Sequence, residues 1–194
     1  MATKAVHERG GAQVNPTKLL KAIAFAAGKH RQQRRKDAEG SPYINHPIAV
    51  ATVLAAEGDV FDEATLMAAA LHDTVEDTQT TFAELEEHFG SEVTELVREL
   101  TDDKSLEKMV RKRLQVEHAS HASSRAKELK MADKICNIRD VTDSPPVHWP
   151  LQRRRDYLAW SEEVVAGCRG ANAKLEQAFD AAISRAKSVL VAKE

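Results

Sequence analysis

Cysteine is scarce in this chain of 194 residues, which contains only Cys136 and Cys168. The two are too far apart for a metal-ligand spacing, so we expect free thiols in a reducing compartment. The N-terminal stretch MATKAVHERGGAQV lacks the apolar core of a signal peptide, and no apolar run approaches the ~20 residues that span a membrane. These absences predict a cytoplasmic protein without a membrane partner.

An excess of charge of one sign is also absent, because the formal net charge is −2 at pH 7. Overall charge therefore gives no sign of a nucleic-acid partner, and aromatic residues are not interleaved with the basic ones as they are in many RNA-binding surfaces. Any site for anions must be a local basic patch.

Strand patterns are missing as well, since no stretch alternates apolar and polar residues with the β-branched content of a strand. Helical periodicity and capping residues occur instead, with caps expected at Asn15, Asp62, Thr81 and Ser91. The predicted helices cover residues 16–33, 46–57, 63–77, 82–89, 92–100, 105–119, 124–140, 151–168 and 171–191. With 42% apolar residues, the chain can bury one core. We predict a single compact all-α domain over residues 1–194, a bundle of about eight to ten helices, with a flexible N-terminus over residues 1–14.

The stretch ALHDTVEDT, residues 70–78, places one imidazole and three carboxylates directly after an apolar helical segment. Buried charges are costly unless they are paired or bound to metal. On a continuous helix, Glu76 lies one turn after His72, and Asp77 one turn after Asp73. The spacing predicts a lower pair that holds a metal ion and an upper pair of carboxylates that orients water or moves protons.

Two further side chains are candidates to complete the metal site. His46 opens a predicted helix after a loop, and Asp133 is an acidic residue within an otherwise apolar helical segment, with Asn137 one turn later. Two imidazoles and two carboxylates suit Mn²⁺, Fe²⁺ or Zn²⁺, and ligand type alone does not choose among them. A structural alternative for Asp133 is an ion pair with Arg139 or Lys134.

The stretch HRQQRRK, residues 30–36, supplies four cations shortly before His46. Arginine side chains can bind phosphate through two parallel hydrogen bonds. A metal site beside a phosphate-binding cluster indicates a phosphohydrolase. A second basic run, Arg111 to Arg113, is expected to form an exposed helix face.

These motifs also carry a resemblance to a known family. His46, His72-Asp73 and Asp133 match the H…HD…D pattern of HD-domain metal-dependent phosphohydrolases. The stretches HRQQRRKDAEGSPYINHP, LHDTVEDT and KMADKICNIRD resemble the hydrolase domain of RelA/SpoT alarmone enzymes, above all the stand-alone small alarmone hydrolases. The likeness covers roughly residues 19–180 and implies an HD-domain helical bundle.

The resemblance implies an enzyme that uses one Mn²⁺ to remove the 3′-pyrophosphate of guanosine tetra- or pentaphosphate (ppGpp or pppGpp), yielding GDP or GTP. The implied metal ligands are His46, His72, Asp73 and Asp133, and Glu76 and Asp77 are the implied acidic pair for the attacking water. The implied substrate-binding residues are Arg35, Lys36, Asn137, Lys108, Arg153 and Tyr157.

Other functions remain open from the sequence. Within the same chemistry, the substrate could be the 2′-phosphate of NADPH or an adenosine analogue of the alarmones. A different class is a nucleotide sensor that binds without turnover, although a binder has no need of the two carboxylates Glu76 and Asp77. A small-molecule nucleotide is the expected partner in each case.

Overall fold

The computed structural model describes residues 14–192, and these form ten helices with no strand beyond a single bridge between Arg34 and Pro42. The all-α prediction is therefore confirmed, whereas the expectation for the N-terminus falls almost wholly outside the described residues. None of these helices combines the length and apolar composition needed to cross a membrane. The helices are α1 (Pro16–Lys29), α2 (Asn45–Ala56), α3 (Glu63–Leu71), α4 (Thr74–Asp77), α5 (Phe82–Phe89), α6 (Ser91–Leu100), α7 (Lys108–Ala119), α8 (Ser124–Asp143), α9 (Leu151–Ala166) and α10 (Ala173–Val191).

Helix α3 lies at the centre of the domain. Apart from Glu63 and Thr65 its sequence EATLMAAAL is apolar, and every side chain from Ala64 to Leu71 is buried. A helix without a polar face must be covered all round, and α3 packs against α1, α2, α6 and α8. Its C-terminal end delivers His72 to the interior.

Helix α8 is the longest in the described chain and forms the second half of the core. Its N-cap is Ser123, whose side chain accepts a hydrogen bond from the backbone N–H of Ala126. It packs against α2, α9 and α10 and also contacts α3 and α6. The ends of α2 and α3 therefore meet the middle of α8, where Asp133 lies.

Two predicted helices were too long by at least four residues. The first ends at Lys29 rather than at residue 33, because the chain turns after the buried His30 and the backbone of Gln33 then accepts a hydrogen bond from Tyr43 N–H. The helix expected over residues 63–77 breaks after Leu71, where Thr74 Oγ1 donates to the Leu71 carbonyl. Such side chains compete with the helical ladder for backbone groups. His72 and Asp73 therefore lie in a turn between α3 and α4.

The cap predictions were largely confirmed. The side chains of Asn15, Asp62 and Thr81 each accept a hydrogen bond from a backbone N–H in the first turn. The prediction for Ser91 was wrong, because Gly90 occupies the cap position with a φ of +83° and Ser91 is the first helical residue. A positive φ favours glycine at that place.

Candidate functional site

Three parts of the chain place the four predicted metal ligands around one cavity of about 160 Å³. His46 lies in the first turn of α2, His72 and Asp73 lie between α3 and α4, and Asp133 lies in α8. One nitrogen of each histidine and one oxygen of Asp133 lie within 4.8 Å of one another. The sequence separates these residues widely, so only the packing of α2, α3 and α8 brings them together.

The distances fit one divalent ion. Nε2 of His46 lies 3.1 Å from Oδ1 of Asp133 and 3.9 Å from Oδ2 of Asp73. Nε2 of His72 lies 3.1 Å from Oδ2 of Asp73 and 3.9 Å from Oδ1 of Asp133. Ligands about 2.0–2.2 Å from a common ion are about 3–4 Å from one another, depending on the angle at the ion. The four histidine–carboxylate separations have such values, and the donor atoms that all lie within 4.8 Å of one another belong to His46, His72 and Asp133.

The hydrogen bonds of His72 also suit a metal ligand. Its Nδ1 lies 2.8 Å from the carbonyl oxygen of Ala69, which can only accept, so Nδ1 carries the hydrogen. Nε2 then turns towards the cavity, where it is buried and makes no hydrogen bond. A histidine that ligates a metal commonly donates its other ring N–H to a carbonyl in this way.

The two carboxylates favour a positive charge in the cavity. Burial alone would lower the pKa of His72, but the charges of Asp73 and Asp133 outweigh it and raise this pKa to about 9. Burial likewise opposes ionisation of Asp73, yet the neighbouring His72 and His46 hold its pKa well below the ordinary value. A proton on His72 or a metal cation can supply the required charge.

Two residues support the carboxylates: Tyr43, which the sequence analysis missed, and Lys134, which it considered only as an ion-pair partner of Asp133. The hydroxyl of Tyr43 donates a hydrogen bond of 2.6 Å to Oδ2 of Asp73. The buried ammonium of Lys134 lies 3.0 Å from Oδ2 of Asp133, which confirms one of the two ion pairs considered for that carboxylate. The other does not form, since Arg139 binds Glu57 through two hydrogen bonds. The nearness of Tyr43 to His46 in sequence was the only available signal.

Glu76 faces the metal cavity, whereas Asp77 lines the neighbouring groove on the α1 side. Oε2 of Glu76 accepts a hydrogen bond from the backbone N–H of Asp102, and Nζ of Lys104 lies 3.2 Å from Oε1. Lys104 also donates to Asp77, which accepts a second bond from Gln33. Burial, opposed by that backbone bond, combines with the charge of Asp102 to raise the pKa of Glu76. Lys104 thus joins the two carboxylates.

Asn137 and Arg35 extend the metal site in one direction. Nδ2 of Asn137 donates a hydrogen bond of 2.6 Å to Oδ1 of Asp133, and its Oδ1 accepts one from Arg35. Arg35 also donates to Asp140 and lies over the ring of Tyr43. This chain of hydrogen bonds holds a guanidinium beside the cavity.

A basic cluster, formed by Lys36, Lys108 and Arg153, lies outside the cavity lining and within reach of the charge of Arg111. Burial and the positive charges of Arg153 and Lys36 lower the pKa of Lys108. Arg153 stacks over the ring of Trp149, 4.4 Å from its centroid. Like charges gathered without acidic partners attract anions.

Tyr157 lies between two tryptophans. Its ring centroid is 5.6 Å from that of Trp149 and 5.4 Å from that of Trp160. Burial raises the pKa of its hydroxyl to about 12, and the charges of Lys134 and Asp133 act on it from the metal site. Tyr157 therefore stays a neutral phenol packed between two tryptophans, and it does not line the cavity of about 160 Å³.

The expectation that residues 111–113 form an exposed face was wrong for two of the three. The side chain of Arg111 is only 22% exposed and lies near Glu76, and Lys112 stacks over Trp160. Only Arg113 is exposed, at 66%. The packing of α7 against α9 covers Lys112, whereas Arg111 faces Glu76 and Asp102.

Comparison with known proteins places the chain in a family. The HD domain model matches residues 22–156. The chain is an HD-domain protein. It is 56% identical over 162 residues to guanosine-3′,5′-bis(diphosphate) 3′-pyrophosphohydrolase MESH1 of Xenopus tropicalis, covering 84% of this chain and 90% of the relative. Identity to the protein of that name from Homo sapiens is 55% over 161 residues, covering 83% and 90%.

A solved structure has the same fold. It is described as a metazoan orthologue of SpoT that hydrolyses ppGpp, and it matches with a TM-score of 0.86 at 49% identity, over 92% of this chain and 99% of the other. The chain therefore belongs, within the HD-domain family, to the MESH1 group. The HD-domain range contains the four metal-ligand candidates and the acidic pair, and Tyr157 lies one residue beyond its end.

Proposed function

We propose that this chain removes the 3′-diphosphate of ppGpp or pppGpp as pyrophosphate, leaving GDP or GTP, with one bound Mn²⁺, and that residues 1–194 act as one hydrolase domain. The observation that carries the proposal is the meeting of His46, His72 and Asp133 in a cavity that Glu76 also lines. The names of the relatives, together with their identity over most of the chain, support the substrate.

The metal would be held by His46, His72, Asp73 and Asp133. A divalent ion at such a site polarises a phosphoryl oxygen and makes bound water more acidic. The mixture of imidazole and carboxylate ligands supports Mn²⁺, and Zn²⁺ and Fe²⁺ are the alternatives that this ligand set also suits.

Protein side chains would supply the proton transfers of the reaction. Glu76 accepts a proton from the attacking water, because burial gives its carboxylate a raised pKa and so makes it a stronger base. The water oxygen forms a bond to the α-phosphorus of the 3′-diphosphate, and the bond from that phosphorus to the ribose 3′-oxygen breaks. The 3′-oxygen ends as a hydroxyl, having gained a proton. Asp77 assists through Lys104, which contacts both carboxylates.

The nucleotide would be bound on the two sides of the metal cavity. Arg35 and Asn137 are joined by a hydrogen bond next to Asp133, so both can contact the ribose or its phosphate. The basic cluster of Lys36, Lys108 and Arg153 would hold the remaining phosphates, with Tyr157 packed beside Trp149, over which Arg153 stacks. The buried free thiols Cys136 and Cys168 support a reducing, cytoplasmic compartment.

The test is a comparison of substrates with protein that has been treated with chelator and reloaded with one metal at a time. We expect pyrophosphate release from ppGpp to be fastest with Mn²⁺, at a kcat/KM at least tenfold above that for phosphate release from NADPH or for an adenosine alarmone. A higher kcat/KM for NADPH would show that ppGpp is not the preferred substrate, while the metal-dependent phosphohydrolase reaction would still stand. Tight binding of ppGpp without turnover with any of the three metals would instead indicate a nucleotide sensor.

A further inference from the structure

Arg111 has an incomplete set of hydrogen bonds beside the metal cavity. Its Nη1 lies 3.7 Å from Oε1 of Glu76 and 3.9 Å from Oδ2 of Asp102, which is too far for hydrogen bonds. Its Nε is buried and has no hydrogen-bond partner. Within residues 14–192, the guanidinium of Arg111 donates no hydrogen bond to the protein.

The two nearby carboxylates do not need Arg111. Glu76 already accepts a hydrogen bond from the backbone of Asp102 and has Lys104 at 3.2 Å. Asp102 accepts a bond of 2.7 Å from Gln115. A structural role for Arg111 would predict hydrogen bonds to one of these carboxylates, as Arg139 makes to Glu57. Because Glu76 and Asp102 have these closer partners, the guanidinium of Arg111 is available to bind a ligand.

Leaving a buried guanidinium donor without a partner costs free energy, so such groups in a folded protein call for an explanation. Arg111 lies one helical turn after Lys108, and the charges of the two act on each other. It therefore lies near Glu76, on the wall of the metal cavity, and near Lys108 of the basic cluster. A phosphate chain that extends from the cavity towards Lys108 would come close to this guanidinium.

We propose that Arg111 binds the terminal phosphate of the 3′-diphosphate and thereby selects a ribose diphosphate over a ribose monophosphate. The inference rests on the proposed function, because it assigns one phosphate of that substrate to one side chain. A guanidinium presents parallel N–H groups that match two phosphate oxygens, whereas a lysine presents a point charge. A single phosphate held at the metal would not extend to this fork.

The experiment compares Arg111→Gln with Arg113→Gln. Arg113 lies on the same helix, is 66% exposed and pairs with Glu117, so its replacement removes the same charge away from the pocket. We expect Arg111→Gln to lower kcat/KM for ppGpp about 10- to 100-fold, the range of a lost charge-assisted hydrogen bond, and Arg113→Gln to change it less than about twofold.

Binding of the isolated product supplies a second measurement. Calorimetry with inorganic pyrophosphate on protein loaded with Mn²⁺ should show weaker binding to Arg111→Gln by the same factor, with binding of orthophosphate nearly unchanged. Mn²⁺ affinity, followed by electron paramagnetic resonance, should equal that of the wild type. Arg111→Lys should keep part of the pyrophosphate affinity, and added guanidinium ion should restore rate to Arg111→Ala.

Three outcomes would overturn the assignment. The first is that Arg111→Gln loses pyrophosphate binding and orthophosphate binding equally. The second is that kcat/KM for ppGpp is unchanged in Arg111→Gln. The third is that Arg111→Gln and Arg111→Lys both melt at a lower temperature and that guanidinium ion does not restore rate to Arg111→Ala. Failure of the proposed function is distinguishable, because the wild type would then not hydrolyse ppGpp. Even so, a selective loss of pyrophosphate binding in Arg111→Gln would still support this site.

Discussion

The hydroxyl of Tyr43 holds a metal-ligand candidate, Asp73, by a hydrogen bond of 2.6 Å to the same oxygen that faces both histidines. Burial raises the pKa of Tyr43, and the charge of Asp73 raises it further, so the phenol remains a donor. Its ring also contacts the rings of His30 and His46. Tyr43 thus fixes the orientation of Asp73 from outside the ligand set.

Replacing Tyr43 with phenylalanine should weaken metal binding while leaving the fold intact. The ring contacts remain, but Asp73 loses the donor that orients it, and removal of such supporting bonds commonly costs about 10- to 100-fold in metal affinity. Calorimetric titration with Mn²⁺ measures the change. Arg113→Gln is the control and should bind Mn²⁺ as the wild type does. Unaltered affinity in Tyr43→Phe would show that Asp73 needs no such support.

The metal ligands and the acidic pair should fail in different ways. Asp73→Ala should lose Mn²⁺ and all turnover, because a charged ligand disappears from the cavity. Glu76→Gln should bind Mn²⁺ normally and lower kcat on the order of 10²- to 10⁴-fold, the usual contribution of a positioned base. Metal content after gel filtration and kcat at saturating ppGpp separate the two effects. Loss of Mn²⁺ from Glu76→Gln would make Glu76 a ligand instead of a base.

The helical class could be predicted because apolar periodicity and capping residues are local signals. Three caps were predicted correctly, and each side chain accepts a hydrogen bond from a backbone N–H only two or three residues later. These residues are Asn15, Asp62 and Thr81. The break after Leu71 was missed, because the apolar pattern continues through it. It depends on the side chain of Thr74 taking the carbonyl of Leu71, which an amphipathic pattern does not reveal.

The candidate site was predictable in its ligands and much less so in its surroundings. His46, His72 and Asp133 stand out because imidazoles and a carboxylate interrupt apolar helices. Tyr43 reaches Asp73 across 30 residues and Arg111 approaches Glu76 across 35, so their partners follow from packing rather than from spacing. Arg111 in particular looks like one member of a solvated charge run until the fold places it near Glu76 and Asp102.

Metal binding should release a proton from His72 and therefore strengthen with pH. In the metal-free protein, Asp73 and Asp133 outweigh burial and raise the pKa of His72 from 6.5 to about 9. Mn²⁺ must displace that proton, so its apparent affinity should rise by up to about tenfold per unit between pH 6.5 and 9 and then level off. The raised pKa also stabilises the metal-free fold fully below pH 6.5, and this contribution is lost as pH rises towards 9. The gain in melting temperature with Mn²⁺ should therefore grow across that interval, and a constant gain would contradict the assignment.

The position of the acidic limb in the pH profile of kcat should depend on the charges around Glu76. A base must be ionised, and burial together with the charge of Asp102 raises the pKa of Glu76 above 4.5, while Lys104 lowers it. Asp102→Asn keeps an acceptor for Gln115 but removes a like charge, so the acidic limb of the pH profile should move to lower pH. Lys104→Met removes a cation, so the same limb should move to higher pH. Bound metal lowers the pKa of Glu76 in both variants, which leaves the sign of their difference unchanged. The pH profile of kcat at saturating Mn²⁺ measures both shifts, with Arg113→Gln as the unshifted control. Shifts of the same sign, or none, would mean that a group other than Glu76 sets the limb.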